Sequence, residues 1–236
     1  MEMNTVLYLP DGNRRFARKK SISLAEAYLL GGKSLRLFSE FFVAGNRAKR
    51  VIYYATSDYT CERLDGSLEV IYEAAKKTLK ELLEEKFFIN NGIRFIAIDH
   101  SRKLPSELKK VATDLSDSTI NLNNGEVIVL WGYSLEKDIN TALSQNPRTF
   151  QEFRRSLLFP EDIDLVIRPF EMRISKGPVY AMAQAQMITL DKLNPEVKKE
   201  DLEEAVREYC RLRSYRINKS FNPHHKLNNT RRENET

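Results

Sequence analysis

Residues 5–20 read Thr-Val-Leu-Tyr-Leu-Pro-Asp-Gly-Asn-Arg-Arg-Phe-Ala-Arg-Lys-Lys. A short apolar run from Val6 to Leu9 ends at Pro10, and Asp11-Gly12-Asn13 makes a tight turn. Arg14, Arg15, Arg18, Lys19 and Lys20 follow at helical spacing. A strand, a turn and a helix start form a ready anion site, because free N–H groups and the helix dipole at the N-terminus favour negative charge. The Arg side chains can fork onto phosphate oxygens. Asp11 repels such a ligand unless a cation sits between them, and Mg²⁺ is the usual bridge. The plainer alternative makes Asp11 the N-cap of a basic, solvated helix.

Two further segments carry similar chemistry. Arg168-Pro169-Phe170-Glu171-Met172-Arg173-Ile174-Ser175 follows the apolar run Leu165-Val166-Ile167. Two Arg and a Ser hydroxyl just past a strand can hold a second anion, or form an exposed basic loop. Arg63, in Thr60-Cys61-Glu62-Arg63, follows another strand. Three basic loops on one sheet edge would line a cleft for two phosphorylated groups.

The elements that must position these loops alternate. Strands are expected near 4–9, 50–56, 93–98, 126–133, 164–168 and 186–190. Helices are expected near 12–20, 24–44, 68–88, 103–118, 135–144, 148–157 and 198–213. That alternation predicts one α/β domain over residues 1–217, a mainly parallel six-stranded sheet flanked by helices. Ligands of such folds bind beyond the carboxyl ends of the strands. The polar residues 218–236 read as a flexible tail.

Composition bounds the rest. The chain has 236 residues, 42% hydrophobic and 30% charged, which suits a soluble globule with a sizeable core. No run of about 18 apolar residues exists, so no transmembrane segment is expected. The start lacks the layout of a signal peptide. Two cysteines, Cys61 and Cys210, fit a reducing cytoplasm, with a single disulfide left open, and neither has the neighbours of a zinc site. The net charge of +5 lacks a long basic stripe with interleaved aromatics, which argues against nucleic-acid binding.

Taken in order, the three segments resemble the cis-prenyltransferase family, the undecaprenyl diphosphate synthase type. Asp11-Gly12-Asn13-Arg14-Arg15-Phe16 resembles its Asp-Gly-Asn-x-Arg-Trp loop. Asp164 to Arg168 with Arg173-Ile174-Ser175 resembles its Asp-Leu-x-Ile-Arg…Arg-x-Ser segment, and Tyr54 to Arg63 its strand and loop ending in Arg. Within the family, Leu9-Pro10-Asp11-Gly12-Asn13-Arg14-Arg15 and Ser23-Leu24-Ala25-Glu26-Ala27-Tyr28 are most similar to the lavandulyl and cyclolavandulyl diphosphate synthases. Chain-elongating members carry Arg and His where this chain has Leu24 and Tyr28. The resemblance implies a prenyltransferase that couples dimethylallyl diphosphate head-to-middle with Mg²⁺, as a homodimer packed through late helices. Isopentenyl, geranyl and farnesyl diphosphates are further substrate candidates.

The roles it implies are these. Asp11 holds the metal. Gly12, Asn13, Arg14, Arg15 and Phe16 bind the allylic diphosphate. Arg168, Arg173 and Ser175, with Arg63 assisting, bind the second one. Product diphosphate, Ser57, Thr60 or Tyr28 takes the final proton. Tyr28, Phe38, Phe41, Phe42, Tyr72, Phe87 and Phe88 either line an apolar pocket for the allylic cation or form plain core.

Departures are also visible. The family's Trp is Phe16, its Asn-Trp is Thr60-Cys61, and the loop between the paired Arg is one residue short and lacks Gly. The family's Mg²⁺-associated Glu aligns with Gln186, a weaker ligand for a hard cation, and the C-terminal Arg-x-Gly is absent around Arg213. These departures keep two other readings open. One is a terpene synthase ionising a single preformed prenyl diphosphate on this scaffold, and the other is a non-catalytic prenyltransferase subunit.

Overall fold

The six strands form one sheet, β1 (Met3–Tyr8), β2 (Ala48–Tyr54), β3 (Arg94–Asp99), β4 (Glu126–Trp131), β5 (Leu165–Pro169) and β6 (Gln186–Leu190), in the order β3-β4-β2-β1-β5-β6. Every neighbouring pair is parallel. The computed structural model describes residues 3–220, with side chains as far as residue 215. The strands read as near-continuous apolar runs because both faces of a parallel sheet are covered. Val127 to Trp131 is buried throughout.

The helices are α1 (Asn13–Lys20), α2 (Leu24–Phe38), α3 (Asp58–Cys61), α4 (Ser67–Glu84), α5 (Phe87–Asn90), α6 (Ser106–Thr119), α7 (Leu135–Leu143), α8 (Phe150–Arg155), α9 (Val179–Met182) and α10 (Lys199–Ser220). Hydroxyl caps set several starts. Ser23, Ser57, Ser134 and Thr149 each accept a hydrogen bond from an N–H three residues on. The larger core lies on the face covered by α2, α4, α6 and α10, and a smaller one on the face covered by α9 and the chain around Phe159.

Helix α10 continues to Ser220, past the expected boundary at 217, and the rest of the expected tail lies outside the described residues. The short helices α3 and α9 were not expected. The single helix expected over 24–44 changes at Ser39 into a π-helical turn, Ser39–Ala44. Phe41, Phe42 and Val43 are all buried there, and three consecutive core residues cannot share one face of a regular helix. The helix expected over 68–88 likewise stops at Glu84. Lys86 turns left-handed, and Phe87 and Phe88 both enter the core.

Both cysteines are free thiols, which closes the disulfide option. No helix among the described residues is long and apolar enough to cross a membrane.

Candidate active site

The chain leaves β1 toward α2 on one face, and leaves β5 toward α9 on the other. The neighbouring strands β1 and β5 therefore flank the point where the sheet's winding reverses, and the crevice beyond them is where such sheets take ligands. The Leu9 N–H donates to Ile167 O, which sets Asp11 beside Arg168 across 157 residues of sequence.

Asp11 is not the N-cap of α1. That position is Gly12, which makes no side-chain cap. The Asp11 carboxylate instead accepts from Arg168 Nη2 at 2.7 Å and from the Gly12 N–H at 2.6 Å, with Arg15 Nη2 3.8 Å away. Gly12 is required at φ +97°, and a Cβ there would lie 2.6 Å from Leu193.

The two expected anion sites are populated differently from the sequence reading. Arg14 pairs with Asp65 at 3.0 Å, and Arg63 shares a small pocket with both and lies close enough to the Tyr28 phenol to act on its charge, so these residues form one cluster. Burial pushes the Tyr28 phenol up, opposed by Arg63 and Arg14, so it is a proton donor at neutral pH rather than a base. Arg15 joins the other cluster. It bonds Glu171 and stacks its guanidinium 4.1 Å from the Phe170 ring. Arg168 is buried, at 4% exposure. Its Nη1 donates to Ser175 Oγ at 2.6 Å and to the Arg173 carbonyl, and its Nη2 reaches Glu171 at 3.1 Å. Arg173 Nε forms an ion pair with Glu171 at 2.8 Å. Arg63 therefore sits with the first cluster, and Arg15 with the second.

A cavity of about 760 Å³ opens between these clusters and runs under α2 and α4. Asp11, Tyr28, Ser57 and Thr60 line its mouth, and Leu79, Val129 and Trp131 line its interior. The Ser57 and Thr60 hydroxyls lie 3.2 Å apart, and Ser57 also caps α3. Of the aromatic candidates only Tyr28 lines this cavity. Phe38, Phe41, Phe42, Tyr72, Phe87 and Phe88 are core. Phe16 is a second correction to the expected contacts. It is buried beneath α1 against Ala17, Ala27 and Leu193, and does not line the cavity.

Gln186 is displaced further. It starts β6 and pairs with Leu165, three residues before Arg168. At about 3.3 Å per residue it lies roughly 10 Å down the sheet from the crevice. Within one chain it is not at the Asp11 end.

Asn194 escaped the sequence reading. It is 2% exposed. Its amide nitrogen donates to Asn13 Oδ1 at 2.9 Å and to Gly31 O at 3.1 Å, its Oδ1 accepts from Tyr8, and its N–H bonds Asp11 O. The Asn-Pro turn signal at 194–195 marked a loop, not this network. A Cβ on Gly31 would lie 2.2 Å from Asn13 Oδ1 and 2.6 Å from Asn194 Nδ2. We expect Gly31→Ala to remain folded but lose about tenfold or more in kcat/KM, because the turn carrying Asp11 shifts. Steady-state kinetics beside a thermal melt would check this, and unchanged kinetics would refute it.

No group of three or more His, Cys, Asp or Glu side chains gathers to hold a metal among the described residues. The Asp11 carboxylate, partly exposed at the mouth, fits a cation whose other ligands are oxygens of a bound diphosphate.

A crevice at a sheet's switch point, lined by guanidiniums, suits phosphorylated ligands. Comparison with known proteins makes the class specific: the chain belongs to the cis-prenyltransferase family. The family model described as putative undecaprenyl diphosphate synthase matches residues 9–217. A tritrans,polycis-undecaprenyl-diphosphate synthase (geranylgeranyl-diphosphate specific) of Pyrobaculum aerophilum is 30% identical over 87% of this chain and 92% of its own. An isoprenyl transferase of Fusobacterium nucleatum is 26% identical over 86% and 91%. The fold matches lavandulyl diphosphate synthase from Lavandula x intermedia, solved with dimethylallyl diphosphate, at a TM-score of 0.80 and 20% identity over 88% of this chain and 94% of that one. The chain is thus a prenyltransferase, of the prenyl diphosphate synthase kind.

Proposed function

We propose that this enzyme joins short allylic diphosphates, dimethylallyl diphosphate foremost, by irregular head-to-middle coupling. The observation that carries the reading is the pair of cation clusters, Arg14 with Arg63 and Arg15 with Arg168 and Arg173, on one cavity with Asp11 between them. Two such clusters suit two diphosphates, which favours coupling over ionisation of a single preformed substrate.

The first diphosphate lies on the N-terminal N–H groups of α1 with Arg14 and Arg63, and Tyr28 donates to it. The second lies on Arg168, Arg173, Ser175 and Arg15. Asp11 would hold Mg²⁺, which would supply charge neutralisation for the departing diphosphate. The apolar interior keeps water from the allylic cation. Its interior wall includes Trp131 on β4. With Tyr28 protonated and the Ser57 and Thr60 hydroxyls paired to each other, the departed diphosphate is the base best suited to the final proton. The proposed setting is a cytoplasmic homodimer, as the family resemblance implies.

The relatives named as polyprenyl synthases favour a second reading, chain elongation. Mass spectrometry of products made with Mg²⁺ separates the two. A ten-carbon diphosphate from dimethylallyl diphosphate alone supports irregular coupling. Products formed only when isopentenyl diphosphate is added to a longer allylic primer would overturn it in favour of elongation.

A further inference from the structure

Glu171 sits among the cations that the second diphosphate needs. Its carboxylate accepts from Arg15 and from Arg168 Nη2 at 3.1 Å, and forms an ion pair with Arg173 Nε at 2.8 Å. We propose that Glu171 is a built-in rival of the diphosphate, competing for these guanidiniums and thereby setting the affinity and release rate of the second site. This rests on the reading of Arg168, Arg173 and Ser175 as that site.

Three features support displacement. First, the guanidiniums have donors to spare. Arg15 Nη1 and Arg168 Nε are buried without a hydrogen-bond partner in the protein. A carboxylate offers two oxygens, whereas a diphosphate offers more oxygens and more charge. Second, the loop carrying Glu171 is held by polar contacts rather than by apolar packing. Met172 and Ile174 beside it point to solvent. Phe170, Ser175 and Lys176 are all non-glycine residues at positive φ, 67°, 49° and 54°, an arrangement that stores strain a rearrangement can relieve. Third, Arg15 stacks on the Phe170 ring of the same loop, so a movement of that loop reaches Arg15 as well as Glu171.

Exchange of one anion for another keeps the buried Arg168 neutralised throughout. The ligand then binds less tightly than three unpaired guanidiniums would allow, and product diphosphate leaves faster.

The test measures binding of inorganic pyrophosphate to the full chain by calorimetry and by stopped-flow displacement. Glu171→Gln keeps the shape and removes the charge. It should bind pyrophosphate about tenfold tighter, ~1.4 kcal/mol, with a slower off-rate and a lower KM for the second substrate. Glu171→Asp keeps the charge and should stay near the parent. Arg173→Ala serves as the site control and should weaken binding. If Arg173→Ala weakens binding but Glu171→Gln does not tighten it, the role of Glu171 is overturned and the site stands. If Glu171→Asp tightens as much as Glu171→Gln, loop disruption rather than charge is responsible, and the proposal again fails. If Arg173→Ala and Glu171→Gln both leave binding unchanged, the second-site reading itself fails.

Discussion

Asp11→Asn should lower turnover by about 10³-fold or more while leaving the protein folded. The carboxylate is the acidic group between the two cation clusters, held by Arg168 and the Gly12 N–H. Asn keeps the size and can still accept from Gly12. It loses the charge that would let a divalent cation and a diphosphate share the crevice. Arg168 retains Glu171 as a partner in the variant, so little stability is at stake. The kinetics should be measured across a wide Mg²⁺ range. A defect arising only from weaker metal affinity would be restored at high Mg²⁺, whereas loss of the positioned carboxylate would not. Full activity in the variant would sink the bridging role.

Arg168→Ala should be the most damaging substitution for the fold as well as the site. The guanidinium is buried and joins Asp11 on the β1 loop to Glu171, Ser175 and the Arg173 carbonyl on its own loop. Removing it strips two carboxylates of a shared counter-charge. Breaking a buried pair this way costs about 3–5 kcal/mol, so the melting temperature should fall by roughly 10 °C for a chain of this size. Pyrophosphate binding should be lost with it. Arg168→Lys distinguishes charge from geometry. A lysine keeps one positive point but cannot reach Asp11 and Ser175 from opposite sides of a planar fork. It should recover part of the stability and little of the binding. A melt unchanged in Arg168→Ala would refute the view of Arg168 as the clasp between β1 and β5.

Much of this was legible in the sequence, and the reasons are specific. Apolar runs separated by helical periodicity exposed all six strands, since burial on both faces leaves no polar positions to confuse the pattern. The Asp11 loop and the Arg168 loop were legible only together, since each alone also reads as a capped basic helix or an exposed basic loop and it is their order along the chain that resembles the family. What stayed hidden was long-range pairing. Nothing local in Arg63 or Arg15 says which guanidinium turns toward which cluster, and the structure exchanges the two relative to the expectation. Glu171 stood in the quoted segment as an unremarked loop residue. Its meaning depends on Arg15, 156 residues away. Asn194 and the inward aromatic rings show the same limit. A buried amide and a core Phe look like a surface turn and a pocket wall until packing decides.

The placement of β5 beside β1 has a further consequence, for how the protein is made. β1 pairs on one side with β2, close by in sequence, but its other edge must wait for Leu165–Pro169. At ribosomal rates of about 5–20 residues per second, that edge stays unpaired for on the order of ten seconds. Val6 and Leu7, fully buried in the finished sheet, are exposed on it meanwhile. The nascent chain is therefore most prone to aggregate, and most dependent on chaperones, in the interval before residue 169 emerges. The clasp of Arg168 onto Asp11 is among the last contacts to form, so completion of the crevice coincides with completion of the sheet.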